Sequence, residues 1–485
     1  MSTSAADPVA VDPAGADPDV STHADPRRFR RTLMVLVTAL TVVCLVLVAV
    51  NLLSGPRLTA FDVDATEVVS EANARLVLSA NQPINEVDAN QVTLSPARPF
   101  SVQTSGDSIV ISFAQPLAYD THYTVSVRDV TGVATDRTST FEGGFRTEEP
   151  PLLYLSRDDA GPDRIVRTTI GSPDSAVAFQ ADRILEFVPF GERLAVVSLD
   201  DAGASVLSLV DEGGAASLLT VPGIGQIEDL HGAVADNLLG FRFTSAADAP
   251  GPRYENVLFM LDLGQGVADP VIGLDGEPLQ VVDWSFMAGR TELVAQLYDT
   301  TLLLVNPRTN RDGTADPIPI GQYSRLAAVA PDGLRIAVSD QSAQFVLDLS
   351  TGTEAAIIPQ AVDGTTRYTD EMRFLTGGDG YVQRMAEFDP VTGQVQQRLT
   401  LVTGTGPEVR SRVIYEPASD EESIVGFGLS PNDQYVAVQI VPNRQVLTSD
   451  EYPANAQAQE ATTLFVSLET GEIRRSVVGF DVYWR

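Results

Sequence analysis

Lysine is missing altogether: all 32 basic residues are arginine. A codon-composition bias accounts for that more simply than any demand on the side chains. Those 32 face 65 acidic residues, for a formal charge of −33. A chain without a basic face cannot neutralise phosphates, so nucleic acid is excluded as a partner. Cysteine occurs once, at Cys44, so no disulfide framework is possible and the fold must rest on ordinary core burial. Histidine occurs three times, at His23, His122 and His231. That leaves no Cys/His cluster to hold zinc. His122 reads as an ordinary strand residue and His231 as a packed residue near a candidate channel. G-x-S-x-G, H-E-x-x-H and Walker-type loops are all missing. Nothing calls for a metal or cofactor, and the expectation from these gaps is a chain that is not an enzyme.

Long apolar runs are also scarce, with one exception. Residues 32–53 carry no charge, and four arginines (Arg27, Arg28, Arg30, Arg31) precede them. As a helix they would extend about 33 Å, enough for a hydrocarbon core of about 30 Å. The positive-inside rule would place residues 1–31 in the cytoplasm and the bulk outside, as a single-pass cell-membrane protein. A cleaved signal peptide competes with this, but its apolar core would be long and Val48-Ala49-Val50-Asn51 makes a poor cleavage site. Val43 before Cys44 is wrong for a lipoprotein signal. Residues 1–26 repeat Asp-Pro pairs and lack large apolar side chains, which predicts a disordered tail.

What the chain does have, in quantity, is short strands. Between 56 and 148, period-two alternation marks ARLVLS (74–79), a short strand at 92–95, SIVISF (108–113), HYTVSV (122–127) and FEGGFRT (141–147). About ninety residues of such strands predict a β-sandwich. LVLSANQPIN (76–85), VTLSPA (92–97), IVISFAQPLAYDTHYTVSV (109–127) and GFRT (144–147) resemble the bacterial Ig-like domains of the S-layer protein type. That resemblance implies a structural or adhesive spacer.

After Pro150-Pro151 a second theme recurs. The stretch SRLAAVAPDGLRIAVSDQSAQFVLDLSTGTE (324–354) holds three short apolar runs separated by turn residues. Its middle strand returns as LLYLS, RLAVVSL, NLLGFRF, ELVAQLY, RIAVS, YVQRMA and YVAVQIV, about 40 to 55 residues apart, the period of a β-propeller. The seven copies predict seven blades over 152–485. The first unit lacks a first strand, and the chain ends on one, GFDVYWR (479–485), so the last strand is expected to complete the first blade. The APDG (330–333) and SPND (430–433) turns resemble TolB-like and WD-repeat-like propellers, which implies the fold and leaves function open.

The fold class expected is therefore all-β: an Ig-like β-sandwich (56–148) and a seven-bladed β-propeller (152–485), preceded by one transmembrane helix (32–53). First strands line a propeller's channel, so Glu186, Asp229, Asp283, Arg325, Arg373 and Asp481 are the candidate channel residues. The long loops 244–256 and 442–462, and the acidic 416–422, would open on one face, with Tyr254, Tyr415 and Tyr452 as contact aromatics. RDDAGPD (157–163) lacks calcium-loop spacing and reads as a hairpin turn. The function expected is a binding or scaffold protein of the bacterial cell envelope, recognising an envelope protein or cell-wall polymer. The alternative is a polysaccharide hydrolase or lyase using channel carboxylates.

Overall fold

The fold was analysed in a computed structural model, which describes residues 26–53, 55–158, 161–340, 343–357, 368–378, 380–388, 395–404, 409–443, 448–459 and 461–484. Most of the tail expected to be disordered lies outside these residues.

Alternating apolar residues in each short segment give strands with one buried face, and the sheets follow from that pattern. From Leu152 on, seven consecutive sheets of four antiparallel strands form, each strand paired with its sequence neighbour. The exception closes the ring. Blade 1 takes its inner strand, Phe480–Trp484, from the end of the chain and pairs it with Leu152–Ser156, through Phe480↔Leu155, Tyr483↔Leu153 and Trp484↔Leu152. No blade can bury both faces alone. Each shares an apolar seam with the next. Leu153 and Ile165 of blade 1 meet Phe187 and Val196 of blade 2. Equivalent clusters join blades 2 and 3, 3 and 4, 4 and 5, 5 and 6, and 6 and 7. The seventh seam returns to blade 1, where Ala437 and Phe465 pack on Leu152 and Tyr154. The largest fully buried side chain, Trp284, fills the seam between blades 3 and 4. Gly240 makes room for it: a Cβ there would stand 2.2 Å from the indole.

The inner strands carry a feature that period-two alternation conceals. In six blades the register with the second strand slips by a bulge: at Phe480/Tyr483, Ile184/Glu186, Glu228/His231, Leu326/Ala328, Thr369/Glu371 and Ile424/Gly426. A bulge bends its strand and re-aims the side chains beside it. Asp229 and Asp481 lie within two of these slips and take left-handed backbone, φ 53° and 50°.

Ahead of the propeller, a four-stranded sheet and a three-stranded sheet share one core built on Leu76, Leu78, Ile109, Ile111, Tyr123 and Phe141. Two strands, Leu58–Val63 and Phe100–Ser105, join those expected from sequence. This domain rests on the propeller at the inner-to-second-strand turns of blades 6 and 7. Tyr119 stacks on Tyr435 with ring centres 6.3 Å apart, and its N–H donates to Gln434 at 2.7 Å. Asn432 donates to the Leu117 carbonyl at 2.9 Å. Antiparallel connections alternate between faces, so the domain sits opposite the long second-to-third-strand loops and leaves that face open.

Residues 26–53 form one helix, Pro26–Leu53, with exposed apolar side chains such as Met34 and Leu36. Among the described residues, however, no helix is long and apolar enough to cross a membrane. The expected single-pass anchor, and the cell-membrane localisation that depended on it, are corrected accordingly.

Ring closure has a measurable consequence. Removing residues 480–485 strips blade 1 of its inner strand and opens the seams on both sides of it. Hydrogen exchange should then accelerate at the amides of Leu152–Ser156 and Asp163–Thr168 well before those of blade 4. Uniform acceleration around the ring would contradict a blade completed from the chain end.

Candidate functional site

Each channel candidate lies on the inner strand of its blade. Asp481 comes from blade 1, Glu186 from blade 2, Asp229 from blade 3, Asp283 from blade 4, Arg325 from blade 5 and Arg373 from blade 6. In blade order, four acidic blades are followed by two basic ones. Blade 7 contributes glycines, Gly426 and Gly428, and a Cβ at Gly428 would meet nothing within 4 Å.

The carboxylates form one electrostatic chain. Glu186 accepts hydrogen bonds from the N–H groups of Leu230, at 2.9 Å, and Asp229, at 3.2 Å. Desolvation pushes its pKa up to about 7; those N–H groups oppose the rise, while the charges of Asp229 and Asp481 add to it. Burial also raises Asp229, with the Arg242 guanidinium pulling it back and Asp283 pushing it further up. Asp283 is raised by burial against the Trp284 N–H and the guanidiniums of Arg325, Arg242 and Arg373. Asp481 is raised by burial, opposed by the amide of Asn455, which donates to it at 2.9 Å. Residues from positions 186 to 481 thus act on one another across the channel wall.

Arg242, which sequence reading did not single out, holds Glu228 at 2.7 Å and Asp229 at 3.1 Å and donates to the Val282 carbonyl. On the basic side, Arg373 pairs with the buried Glu371 at 3.0 Å and lies over the Phe427 ring. A basic residue on a second strand carries no channel signal in sequence, so Arg242 could not have been found there.

The face loops depart from expectation. Tyr452 is no free aromatic: its hydroxyl donates to Asp163 at 2.6 Å, and Arg157 and Arg183 lie 3.8 and 4.3 Å from its ring centre. Tyr254 packs edge-on against Phe243 and Phe259. Tyr415 is buried and its hydroxyl donates to Glu422. Tyr254 is packed within blade 3 and Tyr415 in the seam of blades 6 and 7, while Tyr452 is held by arginines from beyond its own blade. The described part of the 442–462 loop folds into a hairpin bridged at Ser449↔Ala458. It lies down over blades 1 and 2, where Arg157 binds it. Arg157 pairs with Asp450, both side chains nearly fully buried, and donates to the carbonyls of Asn455, Ile184 and Leu185. Asp163, in the stretch read as a hairpin turn, is fully buried and accepts the N–H of Ile184 at 2.7 Å. His231 packs edge-on against Trp284, ring centres 4.8 Å apart, and burial lowers its pKa to about 4. His122 is exposed on its strand. Among the described residues no group of His, Cys, Asp and Glu is placed to hold a metal ion.

No family model and no curated protein matches the chain. Solved structures similar to it include the β-propeller domain of the Trilobed protease from Pyrococcus furiosus (10% identity, TM-score 0.41, 73% of this chain and 92% of that one). Another is an acylaminoacyl peptidase from Pyrococcus horikoshii (12%, 0.39, 64% and 51%). A third is a β-propeller domain from Myceliophteria thermophila (11%, 0.37, 62% and 90%). The expectation that the chain is not an enzyme is corrected here. It rested on missing motifs, and peptidases stand among the similar structures. At these TM-scores neither their activity nor their residues transfer to this chain.

Two measurements follow from this geometry. The folded chain holds a proton on Glu186 that the unfolded chain releases at about 4.5. By linkage, its contribution to stability falls as pH rises from about 4.5 to about 7, by an upper bound of about 3 kcal/mol. Urea denaturation of wild type and Glu186→Gln at pH 5 and pH 8 should show the difference between them moving in the variant's favour at pH 8. A pH-independent difference would place Glu186 in solvent. Separately, Asp450→Asn leaves the Arg157 charge buried and should cost about 3 kcal/mol. A loss below about 1 kcal/mol, the ceiling for an exposed pair, would contradict the desolvated pair.

Proposed function

We propose that this chain is a recognition protein whose propeller channel binds a charged partner, either a protein segment or a wall polymer. The observation that carries the reading is the split of the channel wall into an acidic arc (Asp481, Glu186, Asp229, Asp283) and a basic arc (Arg325, Arg373). A concave wall with convergent groups of both signs favours a ligand bearing both. The two-sheet domain, in this reading, is an Ig-like module that supports the propeller from the opposite face. Its tyrosine stack and hydrogen bonds to blade 7 support a fixed mount over a loose spacer.

A second reading rests on one further observation. A carboxyl with a pKa of about 7 beside two other carboxylates is suited to donate a proton to a leaving oxygen. In that reading the chain is a polysaccharide hydrolase or lyase, with Glu186 as the acid and Asp229 or Asp481 as the base.

One set of proteins tests both. Wild type, Asp229→Asn, Arg373→Gln and Glu186→Gln are presented to a panel of purified wall polysaccharides and to a peptide array. Binding is read by interferometry and cleavage by new reducing ends or unsaturated products. Recognition predicts a ligand lost at least tenfold in both Asp229→Asn and Arg373→Gln, with Glu186→Gln still binding. The catalytic reading predicts product formation abolished by Glu186→Gln. Binding unaffected by all three variants would remove the channel from either account.

A further inference from the structure

Away from the channel, the loop-bearing face holds a groove of about 680 Å³ between blades 3 and 4. Three connections build it. Residues 253–257 end the long second-to-third-strand loop of blade 3. Residues 273–280 lead from the outer strand of blade 3, Val267–Pro270, to the inner strand of blade 4, Asp283–Phe286. Residues 297–301 turn between Leu293–Gln296 and Thr301–Val305 of blade 4.

Its floor is apolar, made by Val257, Leu279 and Leu303, all buried. Its rim is acidic, with Glu255, Asp275, Glu277 and Asp299 all exposed. Local geometry uses only part of that charge. One oxygen of Asp275 accepts the Glu277 N–H and one of Asp299 accepts the Thr301 N–H. Among the described residues, none of the four carboxylates is in an ion pair. The single cation at the groove, Arg253, is turned to its own loop, where it donates to the Ala247 carbonyl. Tyr298 stands at the lip with 60% of its surface exposed, and Leu274 with 56%. Large apolar side chains left open beside an apolar trough are a mark of an interaction surface.

We infer that this groove docks an extended basic peptide segment of a partner protein. One apolar side chain of the segment would enter the floor, with flanking Arg or Lys on the acidic rim. Charge complementarity selects the occupant: four carboxylates outside any ion pair among the described residues repel acidic polymers and attract guanidinium and ammonium groups. Tyr298 adds a face on which a cation or a planar guanidinium can lie. A neutral glycan would use the tyrosine and leave the rim carboxylates without a charged partner. The groove is separate from the channel, so this inference stands or falls independently of the channel reading.

The probe is a fluorescein-labelled peptide, Arg-Arg-Leu-Arg-Arg, with Glu-Glu-Leu-Glu-Glu as its counterpart. Both are titrated against the full chain by fluorescence anisotropy. Docking predicts saturable binding of the basic peptide alone, weakening as salt rises. Tyr298→Ala, which changes no charge, and Glu277→Gln with Asp275→Asn should each weaken it at least tenfold. Glu212→Gln, on an exposed turn of blade 2, and Asp229→Asn in the channel should leave it unchanged. Three results would overturn the inference. Equal loss in Glu212→Gln would mean diffuse attraction to an acidic protein. Loss in Asp229→Asn would move the peptide to the channel. Displacement by a neutral oligosaccharide such as cellohexaose would make the groove a glycan site.

Discussion

Closure of the ring is the constraint on which the rest depends. A blade of four short strands has two apolar faces and cannot hide them alone, so each blade is stable only between two neighbours. Seven seams satisfy seven blades if the last meets the first. That meeting is made by Phe480–Trp484, which gives blade 1 its inner strand and leaves the ring without an exposed edge there. The same pairing brings Asp481 into the channel wall beside Glu186. The feature that completes the fold therefore also completes the acidic arc.

The wall is shaped by a repeated departure from regular pairing. Six bulges at the inner strands bend the backbone, and two of them hold aspartates in left-handed conformation. Such backbone is costly for a residue with a Cβ and persists where surrounding structure fixes it. Here the fixing comes from both sides. Seams of buried Leu, Val and Phe hold the strands, and the Arg157 hub ties the blade 7 hairpin down onto the carbonyls of Ile184 and Leu185. Burial raises the pKa of all four acidic channel groups, the expected result when carboxylates are crowded on a desolvated wall.

The blades were legible in sequence because each repeats the same code: an apolar strand, a Pro/Gly/Asp turn and an apolar strand. LLYLS and YVAVQIV could be matched by pattern alone, and the missing first strand of unit one pointed to the chain end. The inner-strand positions followed from the repeat. Their mutual electrostatics did not, since bulges break the alternation from which side-chain direction is read. Loops were less legible still. Tyr452 and Tyr254 looked like contact aromatics because they sit in polar insertions. Nothing local signals that Arg157, nearly three hundred residues away, lies over one ring or that Phe259 faces the other. The helix at Pro26–Leu53 was visible as a helix, and its role was overread from the run of apolar residues alone.

The central claim is that ring closure sets Asp481 and Glu186 on one desolvated wall. The most direct measurement is a carboxyl carbon NMR titration of Glu186 in chain labelled at glutamate, in wild type and in Asp481→Asn. The account predicts a midpoint near 7 in wild type and a lower one in the variant, where a neighbouring negative charge has been removed. A midpoint near 4.5 in both proteins would contradict it, because Glu186 would then be a solvated carboxylate with no partner from the end of the chain.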